Sequence, residues 1–508
     1  MRWSLSASCW VCSLVGAVAC TRRPPPPAFQ VVGESVRLRA DEPIPNDSAI
    51  FDGTTVKLRG GRGETLGVQL LGTSAQRLTL PPEAATVSGF AVRTLKVKEP
   101  STSMYGESRG QGDYPDPLVP IAAVGEAAGF FDVAILPSAK PGLYAGTLVL
   151  ADRTLPVVLT VEPVRVEVAR QPFVWVFYLP KEIARRHGVA DDDGPEQLAW
   201  ESKYVALFRA HGCFLASDER PARFAARRAF LDGTRYWPVG FDSGSDAAAT
   251  ADVKAWLTLF AGLPQIPFAI PVDEPHTKEA RAQVRHLGEI VAQAGGGRPK
   301  FLRAVTAPPS PDYDSAVDVY LSPDPFPTQA AARAATGQRF WTYNGRPPQA
   351  GSMIVDTDGI ALRTWGWIAE RYGVELWHAW EGLYWTDRYN RGGTTDVMTQ
   401  AITFDERKKG GEDFGNGDGV LVYPGPLPSL RLKALRRGLQ DRLLVRTLAG
   451  CGAQKEADAI VRRLVPRALG EASGQTSWSR DERAWEAARG ELYDAIARRC
   501  PKEAADGR

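Results

Sequence analysis

The chain has 508 residues, 44% hydrophobic and 24% charged, a balance that can bury one large core and a smaller one and excludes both disorder and a coiled coil. Its 61 Lys and Arg stand against 59 Asp and Glu, so no broad field selects nucleic acid or an anionic membrane surface. The five histidines (His187, His211, His276, His286, His378) are scattered and no HExxH motif occurs, so neither a metal site nor a cofactor is expected.

Residues 1–19 read as an export signal. Arg2 supplies the positive start, and the stretch from residue 3 to 19 is apolar but too short and Ser-rich for a comfortable membrane span. It ends in Gly16-Ala17-Val18-Ala19-Cys20, which resembles the lipobox of bacterial lipoproteins. The resemblance implies that Cys20 becomes the first mature residue and carries lipid, with residues 20–29, rich in proline, as a stiff tether. An ordinary cleaved signal is the alternative, and both export the protein. Thr21, where a retention signal places Asp, points to the outer membrane. Cys9 and Cys12 leave with the signal, and Cys451 and Cys500 are candidates to pair in an oxidising compartment.

Residues 30–168 read as a β-sandwich. Short apolar runs at 67–71, 90–97 and 147–150 are separated by Gly, Pro, Asp and Ser. Residues 143–150 and 155–161 flank Ala151-Asp152-Arg153 as a hairpin. Gly60-Gly61-Arg62-Gly63 lacks the Walker lysine and reads as a loop. No tryptophan falls between Trp10 and Trp175, so this part is expected to support the site rather than stack on a sugar.

From residue 169 to 430 strands alternate with helices. Strands are expected at 173–178, 213–216, 236–241, 268–272, 300–305, 317–321, 339–343 and 374–380, and helices at 196–211, 253–263 and 278–294. Eight strands so interleaved predict an α/β protein with a C-terminal (β/α)8 TIM-like barrel behind the N-terminal sandwich, a doubly wound sheet being the alternative, for which no phosphate-binding glycine turn is found. Residues 431–508 form a helical region whose Arg- and Glu-rich tail, after about 453, is expected to be exposed.

In this fold, chemistry sits where strands end. Asp273-Glu274-Pro275 lies there, after the fourth strand. Adjacent strand residues face opposite sides, so both carboxylates can meet one substrate only if the backbone turns at this point. Six of the 14 tryptophans fall between Trp341 and Trp385. Flat rings beside carboxylates suit pyranoses, which makes Trp341, Tyr343, Trp380, Glu381, Tyr384, Trp385 and Asp387 candidate substrate-binding residues. About half of these tryptophans are expected in the core, Trp365 and Trp367 on a helix first among them.

Val272-Asp273-Glu274-Pro275, Trp380-Glu381-Gly382-Leu383-Tyr384-Trp385 and Asn416-Gly417-Asp418-Gly419, in this order, resemble glycoside hydrolase family 123 and its relatives grouped as domain of unknown function 4091. The resemblance implies a β-N-acetylgalactosaminidase-like glycosidase that uses the substrate's acetamido group as nucleophile. Glu274 would be acid and then base, and Asp273 would orient the acetamido group. No second protein nucleophile is then needed. The competing readings are a conventional retaining glycosidase with Glu274 as acid/base and Glu381 as nucleophile, and a lipoprotein that binds glycans without turnover. Arg437 and Arg442 depart from the resembled pattern, which has an acidic and an aromatic residue there. The run Gly415-Asn416-Gly417-Asp418-Gly419 reads as a tight turn, since Phe414 occupies the first ligand position of a calcium loop.

Overall fold

The computed structural model describes residues 25–121, 126–295, 301–323, 328–386 and 395–501. The export signal, Cys20 and Asp387 lie outside them.

Nine strands form the N-terminal part: β1 Gln30–Val32, β2 Val56–Arg62, β3 Thr65–Leu71, β4 Ala75–Thr79, β5 Ala85–Val97, β6 Gly112–Pro120, β7 Phe130–Ile135, β8 Gly142–Leu150 and β9 Thr154–Arg165. They make a five-stranded sheet in the order β1-β3-β7-β5-β6 and a four-stranded sheet in the order β2-β9-β8-β4. Along β9 every second residue (Leu155, Val157, Leu159, Val161) is buried, as a strand with one covered face requires. These side chains share one apolar cluster with Val68, Leu70, Phe131 and Val133 of the other sheet. The expected 143–161 hairpin forms, with Val149 opposite Thr154.

Gly60 and Gly61 are strand rather than loop. A Cβ on Gly60 would lie 2.6 Å from Ile135, and one on Gly61 2.7 Å from the Val164 carbonyl. The glycines are there because neighbouring chain passes too close for a side chain.

The eight expected parallel strands follow as β10 Val174–Val176, β11 Cys213–Leu215, β12 Tyr236–Pro238, β13 Ile266–Ala269, β14 Leu302–Val305, β15 Val319–Leu321, β16 Arg339–Tyr343 and β17 Trp377–Ala379. They lie in one curled sheet in the order β11-β10-β17-β16-β15-β14-β13-β12. The first and last of the series pair, through Val174 and Trp377, while no ladder joins β11 to β12 among the described residues. Several strands are shorter than the apolar runs suggest. β13 stops at Ala269 because Pro271 has no N–H to give a ladder.

Helices α1 Pro180–His187, α2 Pro195–Ala210, α3 Pro221–Arg227, α4 Asp246–Leu259, α5 Lys278–Gly295, α6 Thr328–Ala334 and α7 Thr364–Tyr372 connect them. Helix α4 begins seven residues before the expected 253 because Ser245 caps it, accepting from the Ala248 N–H at 3.2 Å.

Helices α8 Leu430–Leu448, α9 Gln454–Leu464 and α10 Glu482–Arg499 close the chain. The tail is exposed on one face only. Trp485, Ala488, Leu492 and Ile496 recur on one face of α10 and are buried. Between α8, α10 and the N-terminal sheets lies a buried charge network. Arg437 bonds Glu64 at 2.9 Å and Glu486 at 2.7 Å, Arg489 bonds Glu64 and Asp441, and Arg363 bonds Asp441 at 2.8 Å. Burial would raise the Asp441 pKa, but Arg363, Arg489 and Arg437 outweigh it and hold it low. Arg442 pairs with Glu370 at 2.8 Å and lies 3.9 Å over the Phe173 ring. Both departures from the resembled pattern thus carry their own partners. Cys451 and Cys500 form a disulfide between the end of α8 and the end of α10.

Candidate active site

The parallel strands carry a cavity of about 700 Å³ at their C-terminal ends. Its wall includes Glu274 from the loop after β13, Thr306 after β14, Ser322 after β15, and Tyr343 and Asn344 at the end of β16.

The turn that the Asp273-Glu274 pair requires is present. Glu274 has φ of +41°, in the left-handed region where a side-chain-bearing residue is uncommon and strain concentrates at functional sites. Thr306 fixes the pair: its hydroxyl donates to Asp273 Oδ1 at 2.6 Å and accepts from the Glu274 N–H at 2.8 Å. Tyr343 donates to Glu274 Oε1 at 3.1 Å, and His276 Nε2 lies 3.4 Å from Oε2. The Glu274 side chain remains 49% exposed and so is open to a ligand. Such a carboxyl, oriented at both oxygens in a solvent-reachable cavity, can exchange a proton with a bound leaving group.

The other candidates separate. Trp341 is fully buried between Tyr236 and Phe268, with ring centroids at 4.7 and 4.9 Å, so it packs the interior of the sheet. Trp365 and Trp377 stack on each other at 4.7 Å, Trp367 packs edge-on against Trp485, and Trp385 donates to the Val422 carbonyl. Five of the six clustered tryptophans are therefore core, more than the expected half. Trp380 alone is half-buried, set against Tyr384 and edge-on to Phe404. Glu381 and Tyr384 are fully buried and do not line the cavity. Asn344, at φ of +48°, ties the ends of β16 and β17 together by donating to the His378 carbonyl and accepting from the Trp380 N–H, both at 2.7 Å.

Four wall residues or neighbours were not singled out by their sequence. Asp218, after β11, has its pKa raised by desolvation and, to a smaller extent, by the charge of Asp273. Its side chain keeps solvent contact. Tyr105 and Met104 reach the cavity from the N-terminal part, which therefore contributes directly to the wall. Asp418 lines it as well, and burial pushes its pKa up to about 6. The glycines around Asp418 explain the motif. A Cβ on Gly415 would meet the Tyr105 ring at 2.9 Å, and Gly419, at φ of +70°, lies under Tyr384 and Trp380.

Residues 273–448 match the family described as glycoside hydrolase 123, catalytic domain, a segment that begins at Asp273 and includes Glu274, Tyr343 and Asp418. A family 123 glycoside hydrolase from Clostridium perfringens, studied for glycolipid glycan hydrolysis, superposes with a TM-score of 0.59 at 12% identity, over 93% of this chain and 98% of its own. That likeness is one of fold. A family 2 β-galacturonidase from Eisenbergiella tayi reaches a TM-score of 0.30 at 12% identity over 74% of this chain and 68% of its own, too slight a likeness to extend the comparison. No curated protein matches the chain.

Proposed function

We propose that this glycosidase cleaves β-linked N-acetylhexosamine from extracellular glycans by a substrate-assisted, retaining route. Glu274 protonates the glycosidic oxygen and then activates water. Asp273 orients the acetamido group and balances the positive charge that develops as its oxygen attacks the anomeric carbon. Family 123 similarity suggests the acetamido sugar, and N-acetylgalactosamine is the preferred candidate. The single observation that supports the reading is the left-handed turn at Glu274, where Thr306 holds the Asp273 carboxylate and the Glu274 backbone N–H while the Glu274 side chain lines the cavity.

A retaining enzyme with Glu381 as nucleophile is disfavoured by the complete burial of that side chain away from the cavity wall. A sugar-binding role for Trp341, Tyr384 and Trp385 is narrowed to support of the wall, and Tyr343 and Trp380 are kept as candidate ligand contacts. The architecture behind the site is read as a (β/α)8 barrel over residues 169–430, a sandwich over 30–168 and a C-terminal helical region. Export with lipid on Cys20 completes the proposal, and the Cys451–Cys500 disulfide suits such a compartment.

The test is nitrophenol release from 4-nitrophenyl N-acetyl-β-galactosaminide by protein starting after Cys20, beside Glu274→Gln. Turnover lost in the variant supports the assignment. Turnover only on β-glycosides without an acetamido group removes the substrate-assisted route.

A further inference from the structure

Asp418 has an environment that the chemistry at Glu274 does not explain. It is 6% exposed, lines the same cavity as Glu274, and receives the Tyr105 hydroxyl on Oδ2 at 3.0 Å. Among the described residues Oδ1 accepts no side-chain hydrogen bond and no cation pairs with the carboxylate, whose one further support is the backbone N–H of Gly419. The nearest guanidinium, on Arg431, is committed elsewhere: it bonds Asp116 at 2.9 Å and the Met353, Gly417 and Val420 carbonyls. A buried carboxylate without an ion-pair partner is costly to keep. It suits a ligand rich in neutral hydroxyl donors, because a charged acceptor forms stronger hydrogen bonds than a neutral one. It repels a phosphate or a carboxylate.

We propose that Asp418 is a specificity-determining residue of this glycosidase, its Oδ1 accepting a ring hydroxyl of the sugar bound beside Glu274, with Tyr105 of the N-terminal part as the residue that positions it. The inference rests on the glycoside reading above and adds to it a named acceptor and a role for the N-terminal sheets. Gly415 makes the contact possible, since any side chain there would displace the Tyr105 ring. The groups that face the pair are Arg431, whose charge favours the ionised carboxylate, and Asp413 and Glu406, which act on Tyr105.

The experiment compares wild type, Asp418→Asn and Tyr105→Phe, each starting after Cys20, on the nitrophenyl β-glycoside that wild type cleaves and on its 3-, 4- and 6-deoxy analogues. Asp418→Asn is expected to lower kcat/KM about 10–100-fold on the parent compound. One deoxy analogue, already slow with wild type, should lose nothing further in the variant, because the hydroxyl and its acceptor form one interaction. Tyr105→Phe should show the same analogue pattern with a smaller loss. The proposal is overturned if the variant and deoxy losses multiply at all three positions, or if Asp418→Asn keeps wild-type kcat/KM. The acetamido reading fails separately, by turnover confined to glycosides without that group, and the deoxy comparison is then read on those. If no glycoside is cleaved, calorimetric titration of wild type and Asp418→Asn with N-acetylgalactosamine, N-acetylglucosamine, galactose and glucose decides. Weaker binding by the variant supports the proposal, and equal affinity or no binding by either protein overturns it.

Discussion

Replacing Asp418 by Asn should make the protein more stable at neutral pH, the reverse of what removing a hydrogen-bonded residue ordinarily does. Burial pushes the carboxyl from an ordinary 3.8 up to about 6, so the folded state holds the proton more tightly than the unfolded one. The stability this group contributes is fully present below about pH 3.8 and is lost as pH rises through about 6. At 1.36 kcal/mol per pH unit the loss is about 3 kcal/mol. Asn never ionises, and its amide oxygen can still accept from Tyr105. Urea unfolding of both proteins from pH 3.5 to 7.5 should show the variant gaining on wild type through the pH 4–6 window and levelling off above it. A stability difference that stays flat, or moves the other way, refutes the view that an ionised carboxylate is forced into that wall.

Glu274→Gln should lower kcat by about 10²–10⁴-fold with its far-UV circular dichroism unchanged, since general acid–base groups contribute on that scale. Tyr343→Phe removes a hydrogen bond to a carboxylate and should lower kcat/KM by roughly tenfold or more, read on the same substrate. Asp441→Ala strips the buried Arg363 and Arg489 of an anion and should cost about 3–5 kcal/mol of stability, measured by urea unfolding. Reducing the Cys451–Cys500 bond reopens a 49-residue separation, and loop entropy sets the expected loss at about 4 kcal/mol, measured by thermal unfolding with and without dithiothreitol.

The parallel strands were legible because their apolar runs are bounded by helices of clear period, and 339–343 matches β16 at both ends. The Asp273-Glu274 pair was legible as two adjacent carboxylates at a strand end, and its turn followed from strand geometry. The tryptophan cluster was less so, because a ring suited to a sugar face is equally suited to a core, and composition cannot tell Trp341 from Trp380. Asp418 was hidden in what read as a plain turn. Its meaning depends on Tyr105, more than 300 residues earlier, and no local pattern announces such a contact. The tail beyond residue 453 misled for a related reason. Its many charges suggest a solvated surface, yet Arg489 is buried against Asp441 and Glu486 pairs with the buried Arg437, partners that lie on another helix.

The central claim is that the substrate's own acetamido oxygen is the nucleophile beside Asp273 and Glu274. The most direct test is the rate on 4-nitrophenyl N-acetyl-β-galactosaminide and on the same glycoside with one, two and three fluorines on the acetyl methyl. Fluorine withdraws electrons from the attacking oxygen, so the account predicts a steep fall in kcat/KM with each substitution. Rates that hardly change across the series would contradict it and return the nucleophile to the protein.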